Sequence, residues 1–160
     1  MTDAGPTLVK HHSAITCTPP LTLLDLTEHI ELAGDVRAEL WVATEAPSAD
    51  CVARLCVVDC CGSRSIAEGI QLIPLGSTSV AGLGATFRVE MSLRSIAARV
   101  ETGRRIPMHG TFGSAPQWSI NPQAGAPPEW ISPTDGRPAT HAVRHDADRP
   151  SRLVITAVPA

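Results

Sequence analysis

Cys51, Cys56, Cys60 and Cys61 fall in one short stretch, close enough to raise a thiol nucleophile or a zinc site. A tetrahedral zinc site usually draws on ligand pairs two to four residues apart. Cys60 and Cys61 are adjacent, and the odd step from Cys51 to Cys56 turns their side chains to opposite faces of a strand. Cys51 and Cys56 therefore read as small core side chains. Cys60 or Cys61 reads as an exposed free thiol in a turn, open to oxidation. His141 and His145, followed by Asp146, would make a metal face on a helix. Here they stand between a Pro-rich stretch and the final strand, where an extended chain rising about 3.3 Å per residue sets them about 13 Å apart. His11-His12 lies in a polar leading segment. A serine nucleophile calls for the Gly-x-Ser-x-Gly elbow, and "GSTSVAG" around Ser79 has the wrong spacing and no strand-turn-helix context. No catalytic residue, metal or cofactor is expected, although a triad is assembled in space rather than in sequence.

Three other residues raise chemical questions. Arg54 interrupts the apolar run from Cys51 to Val58, and an unpaired buried charge is costly. Asp59, Glu39 and Asp50 are its expected partners. Trp118 and Trp130 stand in a long Pro-rich region, where a large ring must be covered or used. They either close one end of the core, cover a surface for another domain, or bind a ligand such as a sugar. They are the two candidate ligand-binding residues.

The elements that must carry these residues are short and mostly extended. His29 to Ala33 alternates, Gly34-Asp35 reads as a turn, and Arg37 to Thr44 alternates again with Ala38, Leu40 and Val42 on one side. Cys51 to Val58 is apolar on both faces, as a central strand is. Asp59 to Gly62 is a turn, and Arg64 to Ile70 returns as a hairpin. Residues 74 to 85 read as a Gly/Ser loop. Phe87 to Leu93 gives the sharpest alternation. Ser95 to Val100 reads as one or two helical turns ending near Gly103. Residues 113 to 140 form a long irregular connection, and Arg152 to Val158 is the last strand. The pattern predicts an all-β, single-domain antiparallel sandwich, with the long connection suiting a jelly roll.

Composition narrows the partners. Aromatic residues make up 3%, with no Tyr, so the core must be aliphatic. A net charge of −3 with scattered basic residues lacks the clustered basic face that nucleic acid requires, and few rings are available for base stacking. No apolar run is long enough for a bilayer. Met1 to Pro6 shows no basic, then apolar, leader pattern. An odd cysteine count of five then favours reduced thiols and a cytoplasmic setting.

The ordered blocks "ELWVATEAPSADCVARLCVVD", "GSRSIAEGI", "FRVEMSL", "ETGRRI", "NPQAG" and "RHDADRPSRLVITAVP" together resemble one family. It is the C-terminal domain of X-Pro dipeptidyl-peptidases, a module that also closes cocaine-esterase-type (CocE/NonD) acyl hydrolases. The resemblance runs from about Thr18 to Pro159, leaving residues 1–17 as an N-terminal arm and 18–160 as the domain. It implies a galactose-binding-like jelly roll that packs on an α/β-hydrolase domain, which carries the Ser-Asp-His triad, and helps shape the entrance to its active site. The implied reaction is hydrolysis of peptide or ester bonds, including release of X-Pro dipeptides. These residues contain no such hydrolase domain. The resemblance therefore implies an accessory module acting with an α/β-hydrolase domain in another chain, or by self-association. His145 and Ser151 fall in the closing block and read as a structural corner. Two departures stand out. Gly103 to Gly110 places Pro107 and Gly110 where the family has an alternating strand, which predicts a shortened or edge strand near residues 105 to 110. Ala115 to Pro122 lacks the family's aromatic and charged residues. The alternative is a stand-alone carbohydrate or small-ligand binding module using Trp118 and Trp130.

Overall fold

Period-two alternation dominates the sequence, and strands dominate the structure. The computed structural model describes residues 7–11, 21–73, 86–125, 130–132, 135–155 and 157–158. In chain order the strands are β1 (Thr7–His11), β2 (Leu21–Asp25), β3 (Ile30–Thr44), β4 (Ala49–Asp59), β5 (Gly62–Ile73), β6 (Phe87–Val100), β7 (Arg105–Thr111), β8 (Ala139–Arg144), β9 (Arg152–Val154) and β10 (Ala157–Val158). They build two antiparallel sheets. In the first, β3 is the spine: β6 runs along one side from Ile30↔Val100 to Val42↔Phe87. Its other side is taken in turn by β10, β9 and β8, with β1 beyond β8. The second sheet has the order β2-β7-β4-β5.

The sheets face each other across an aliphatic core, as the scarcity of aromatics requires. Leu32, Val36, Ala38, Leu40 and Val42 of β3 and Val89, Met91 and Leu93 of β6 meet Cys51, Ala53, Leu55 and Val57 of β4 and Met108 of β7. Leu40, Leu55 and Leu93 are fully buried, each stabilising by about 1.5–3 kcal/mol. No described helix is long and apolar enough to cross a membrane.

Several expectations are corrected. Gly34-Asp35 is not a turn: β3 passes straight through it, with Gly34 at φ +106°. Ser95 to Val100 is not helical but the second half of β6. Between the pairs Asp35↔Ser95 and Arg37↔Ser92, β6 carries one more residue than β3. That bulge moves the inward positions from odd to even numbers, from Val89, Met91 and Leu93 to Ile96, Ala98 and Val100. The Leu93-to-Ile96 step of three residues imitates a helical period. β7 is not an edge, since it lies between β2 and β4. Pro107 pairs with Thr22 of β2, and the β4 ladder steps from Leu55↔Met108 to Val58↔Arg105, so the missing N–H of Pro107 falls where no pairing to β4 is made. The last strand is divided into β9 and β10. The leading segment read as an arm contributes β1 against β8. The 74–85 loop with Ser79, and His12, lie outside the described residues.

Candidate functional site

The site grows from two extra residues that face one another. On β5, Leu55↔Ala67 is followed by Cys56↔Ser65, so Ile66 is unpaired in the hairpin ladder. On β6, the bulge holds Arg94 at φ +76°, a conformation unusual for a side chain of this size. Among the described residues, β5 and β6 each form one edge of their sheet. They touch at Gly69, where a β-carbon would lie 2.2 Å from the Ser92 carbonyl oxygen. Past that contact the two bulged edges border an open cleft of about 420 Å³. Ser65, Ile66 and Glu68 line one side, Arg94, Ser95 and Ile96 the other, and the irregular segment after β7 adds Gln117 and Trp118.

The β5 bulge also decides the local electrostatics, because it sets Glu68 directly opposite Arg54. Arg54 Nε forms a short ion pair with Glu68 Oε2, and Arg54 Nη2 donates to Ser114 Oγ at 2.7 Å. Glu68 Oε1 accepts from the Trp118 indole N–H at 2.8 Å and from the Ser114 hydroxyl at 3.3 Å. Trp118 is thus oriented at the cleft by a carboxylate that is itself neutralised by Arg54. Across the sheet from Glu68, His109 of β7 pairs in register with Arg54. Burial, then the Arg54 charge, holds its imidazole below the ordinary value. None of the three expected carboxylates serves Arg54. Asp59 pairs with Arg104 at 2.9 Å, Glu39 with Arg88 and Arg152, and Asp50 accepts from Asn121 at 3.2 Å. Desolvation raises the Asp50 carboxyl despite that bond.

Of the two candidate ligand-binding residues, Trp118 borders this cleft. Trp130 is 78% exposed and borders neither this cleft nor a second one of about 440 Å³ around Asp35, Glu39 and Glu90. Sequence reasoning missed Glu68, Arg94, Ser114 and Gln117. The signal that could have found Glu68 was the need of Arg54 for a partner on the next strand.

The other candidates resolve as packing. Cys51 and Cys56 are both buried, with Cys51 in the inter-sheet core and Cys56 outside that cluster. Burial, with the Asp50 charge adding to it, pushes the Cys51 thiol up to about 12, which removes it as a nucleophile. His141 is fully buried, stacks on Phe112 at 3.9 Å and contacts Gln123 Oε1 at 3.2 Å, whereas His145 is exposed. The closing block forms the expected corner. Buried Ser151 donates to the Arg144 carbonyl at 2.5 Å and accepts from the Trp41 amide at 2.9 Å. Asp146 receives the Arg149 amide and ion-pairs with its guanidinium at 3.1 Å.

No family model matches the chain, and no curated protein matches its sequence. Solved structures do. It superposes on an aminopeptidase from a marine sediment Thaumarchaeota archaeon with a TM-score of 0.73 and 20% identity, covering 96% of this chain and 26% of that one. An alpha-amino acid ester hydrolase gives 0.71 and 18%, covering 95% and 26%. A CocE/NonD family hydrolase from Staphylococcus aureus gives 0.66 and 14%, covering 99% and 34%. At these identities the likeness establishes a shared fold. The chain spans between about a quarter and a third of each of these hydrolases, consistent with the C-terminal domain that its sequence resembles.

Proposed function

We propose that this chain is the accessory jelly-roll domain of a serine hydrolase of the X-Pro dipeptidyl-peptidase and CocE/NonD type. It supports hydrolysis of peptide or ester bonds together with an α/β-hydrolase domain supplied from outside these residues, and contributes no nucleophile itself. The observation that carries this reading is the asymmetry of coverage: nearly the whole chain matches, and in each case only a minor part of a hydrolase. The fate of the candidate residues agrees with it, since Cys51 and His141 are committed to packing and Ser151 to a backbone corner. The proposed setting is the cytoplasm, where reduced thiols such as Cys51 and Cys56 persist. The test is turnover of X-Pro anilides and short esters. The purified chain alone is expected to be inactive, and to raise the activity or stability of a CocE/NonD hydrolase domain stripped of its own β-sandwich. Turnover by the chain alone, abolished by a serine-reactive phosphonate, overturns the proposal.

A second reading, a carbohydrate or small-ligand binding module, is favoured by Trp118 standing at the rim of the β5–β6 cleft beside Arg94, Gln117 and Ser95. Tryptophan fluorescence against a glycan panel separates the two. Saturable quenching lost in Trp118→Phe supports the module, and an unchanged spectrum with every glycan rejects it.

A further inference from the structure

Side chains of neighbouring residues diverge on a strand, but Cys60 and Cys61 occupy the turn between β4 and β5, which Gly62 closes at φ +140°. There the two thiols converge, with their sulfurs 3.7 Å apart, both exposed. The Asp59 carboxylate joins them, so that three ligand atoms lie within 4.8 Å of one another. Two thiolates on a tetrahedral ion with bonds of about 2.3 Å stand about 3.8 Å apart, which is the separation already present. Asp59 is held for the purpose. Oδ1 accepts the Cys61 amide at 2.8 Å and Oδ2 the Arg104 guanidinium at 2.9 Å. Each oxygen keeps a lone pair, so the carboxylate can ligate without giving up the partners that orient it.

We infer that the tip of the β4–β5 hairpin is a binding site for a soft divalent cation of the zinc and cadmium class, with Cys60 and Cys61 as thiolate ligands, Asp59 as the third and solvent as the fourth. Binding replaces two S–H protons, released to solvent, by two metal–sulfur bonds, with no change of oxidation state, so affinity rises with pH. The site is independent of the accessory role and of the cleft.

The test is cadmium titration of the reduced full chain carrying Cys17→Ser, followed by the ultraviolet thiolate–cadmium absorption band and by proton release in weak buffer. One cadmium and two protons per chain are expected. Cys60→Ser and Cys61→Ser should each lose most of the band and weaken binding at least tenfold. Asp59→Asn should weaken it by less while keeping the band. These residues are at a surface turn, and an unchanged far-ultraviolet circular dichroism spectrum checks that each variant is folded. Absence of a band in the parent overturns the proposal, as does a band that survives in the Cys60→Ser/Cys61→Ser double variant. Half a cadmium per chain with dimer formation also overturns it, since the ion would then be shared between copies.

Discussion

Two of the attachments that fix the segment after β7 to the sandwich treat polarity in opposite ways. At one, Gln123 meets a histidine with no solvent exposure, stacked flat on Phe112. At the other, Trp118 hangs from Glu68 beside Arg54, whose side chain is 39% exposed, on the border of an open cleft. The first can only hold. The second holds while leaving an indole face, Gln117 and the guanidinium of Arg94 within reach of a visitor. A half-exposed ion pair contributes little stability, so the arrangement is worth more as positioning than as glue.

Substitutions that separate these roles should differ in size and in readout. His141→Ala removes the Phe112 stack and strands the Gln123 side chain; it should cost about 2–4 kcal/mol in urea unfolding, with little change at the cleft. A loss under 1 kcal/mol would mean that the buried anchor is not the firmer of the two. Gly69→Ala presses a methyl group against the Ser92 backbone and should cost about 1–3 kcal/mol by overpacking, while altering Trp118 fluorescence as the strand edges part. Glu68→Ala should cost only about 1 kcal/mol, because Arg54 can turn to water, yet it should red-shift Trp118 emission and expose the ring to quenchers. An unaltered spectrum would break the claim that Glu68 orients the indole. The smallest effect is a slope. His109 sits below its ordinary 6.5 in the folded chain, so as pH falls through 6.5 the unfolded chain takes up the proton first. The stability it contributes is full above 6.5 and is lost as pH falls toward the depressed folded value. His109→Gln should flatten this part of a stability–pH profile.

The fold was legible because alternation is a strong signal: Leu40, Val42, Val89 and Met91 fall inward as their spacing says. The hairpin turn and the Ser151 corner were equally readable. What escaped were single-residue shifts. Counting back from Asp59↔Gly62 in unbroken register puts Ala67 opposite Arg54; the extra Ile66 makes it Glu68. The same kind of insertion at Arg94 disguised half of β6 as helix. A bulge is written in the sequence as a change of phase, and one such change looks like a new element. Cys60 and Cys61 show the converse in geometry: adjacency parts side chains on an extended backbone, whereas in this turn the two sulfurs stand 3.7 Å apart. Pro107 sits in an internal strand because its missing donor falls at a rung that the β4 ladder skips, which its own sequence neighbourhood does not signal.

The bulge in β6 makes the number of residues between Leu93 and Ile96 matter more than their identity. Deleting Arg94 would take out the surplus residue and leave an unbroken alternation, with Leu93, Ile96, Ala98 and Val100 still inward, but it would erase the bulged edge that borders the cleft. A glycine fits the +76° backbone of that site at least as well as arginine does. Exchange at this position keeps the bulge, whereas loss of the residue spares the core and costs the cleft its edge.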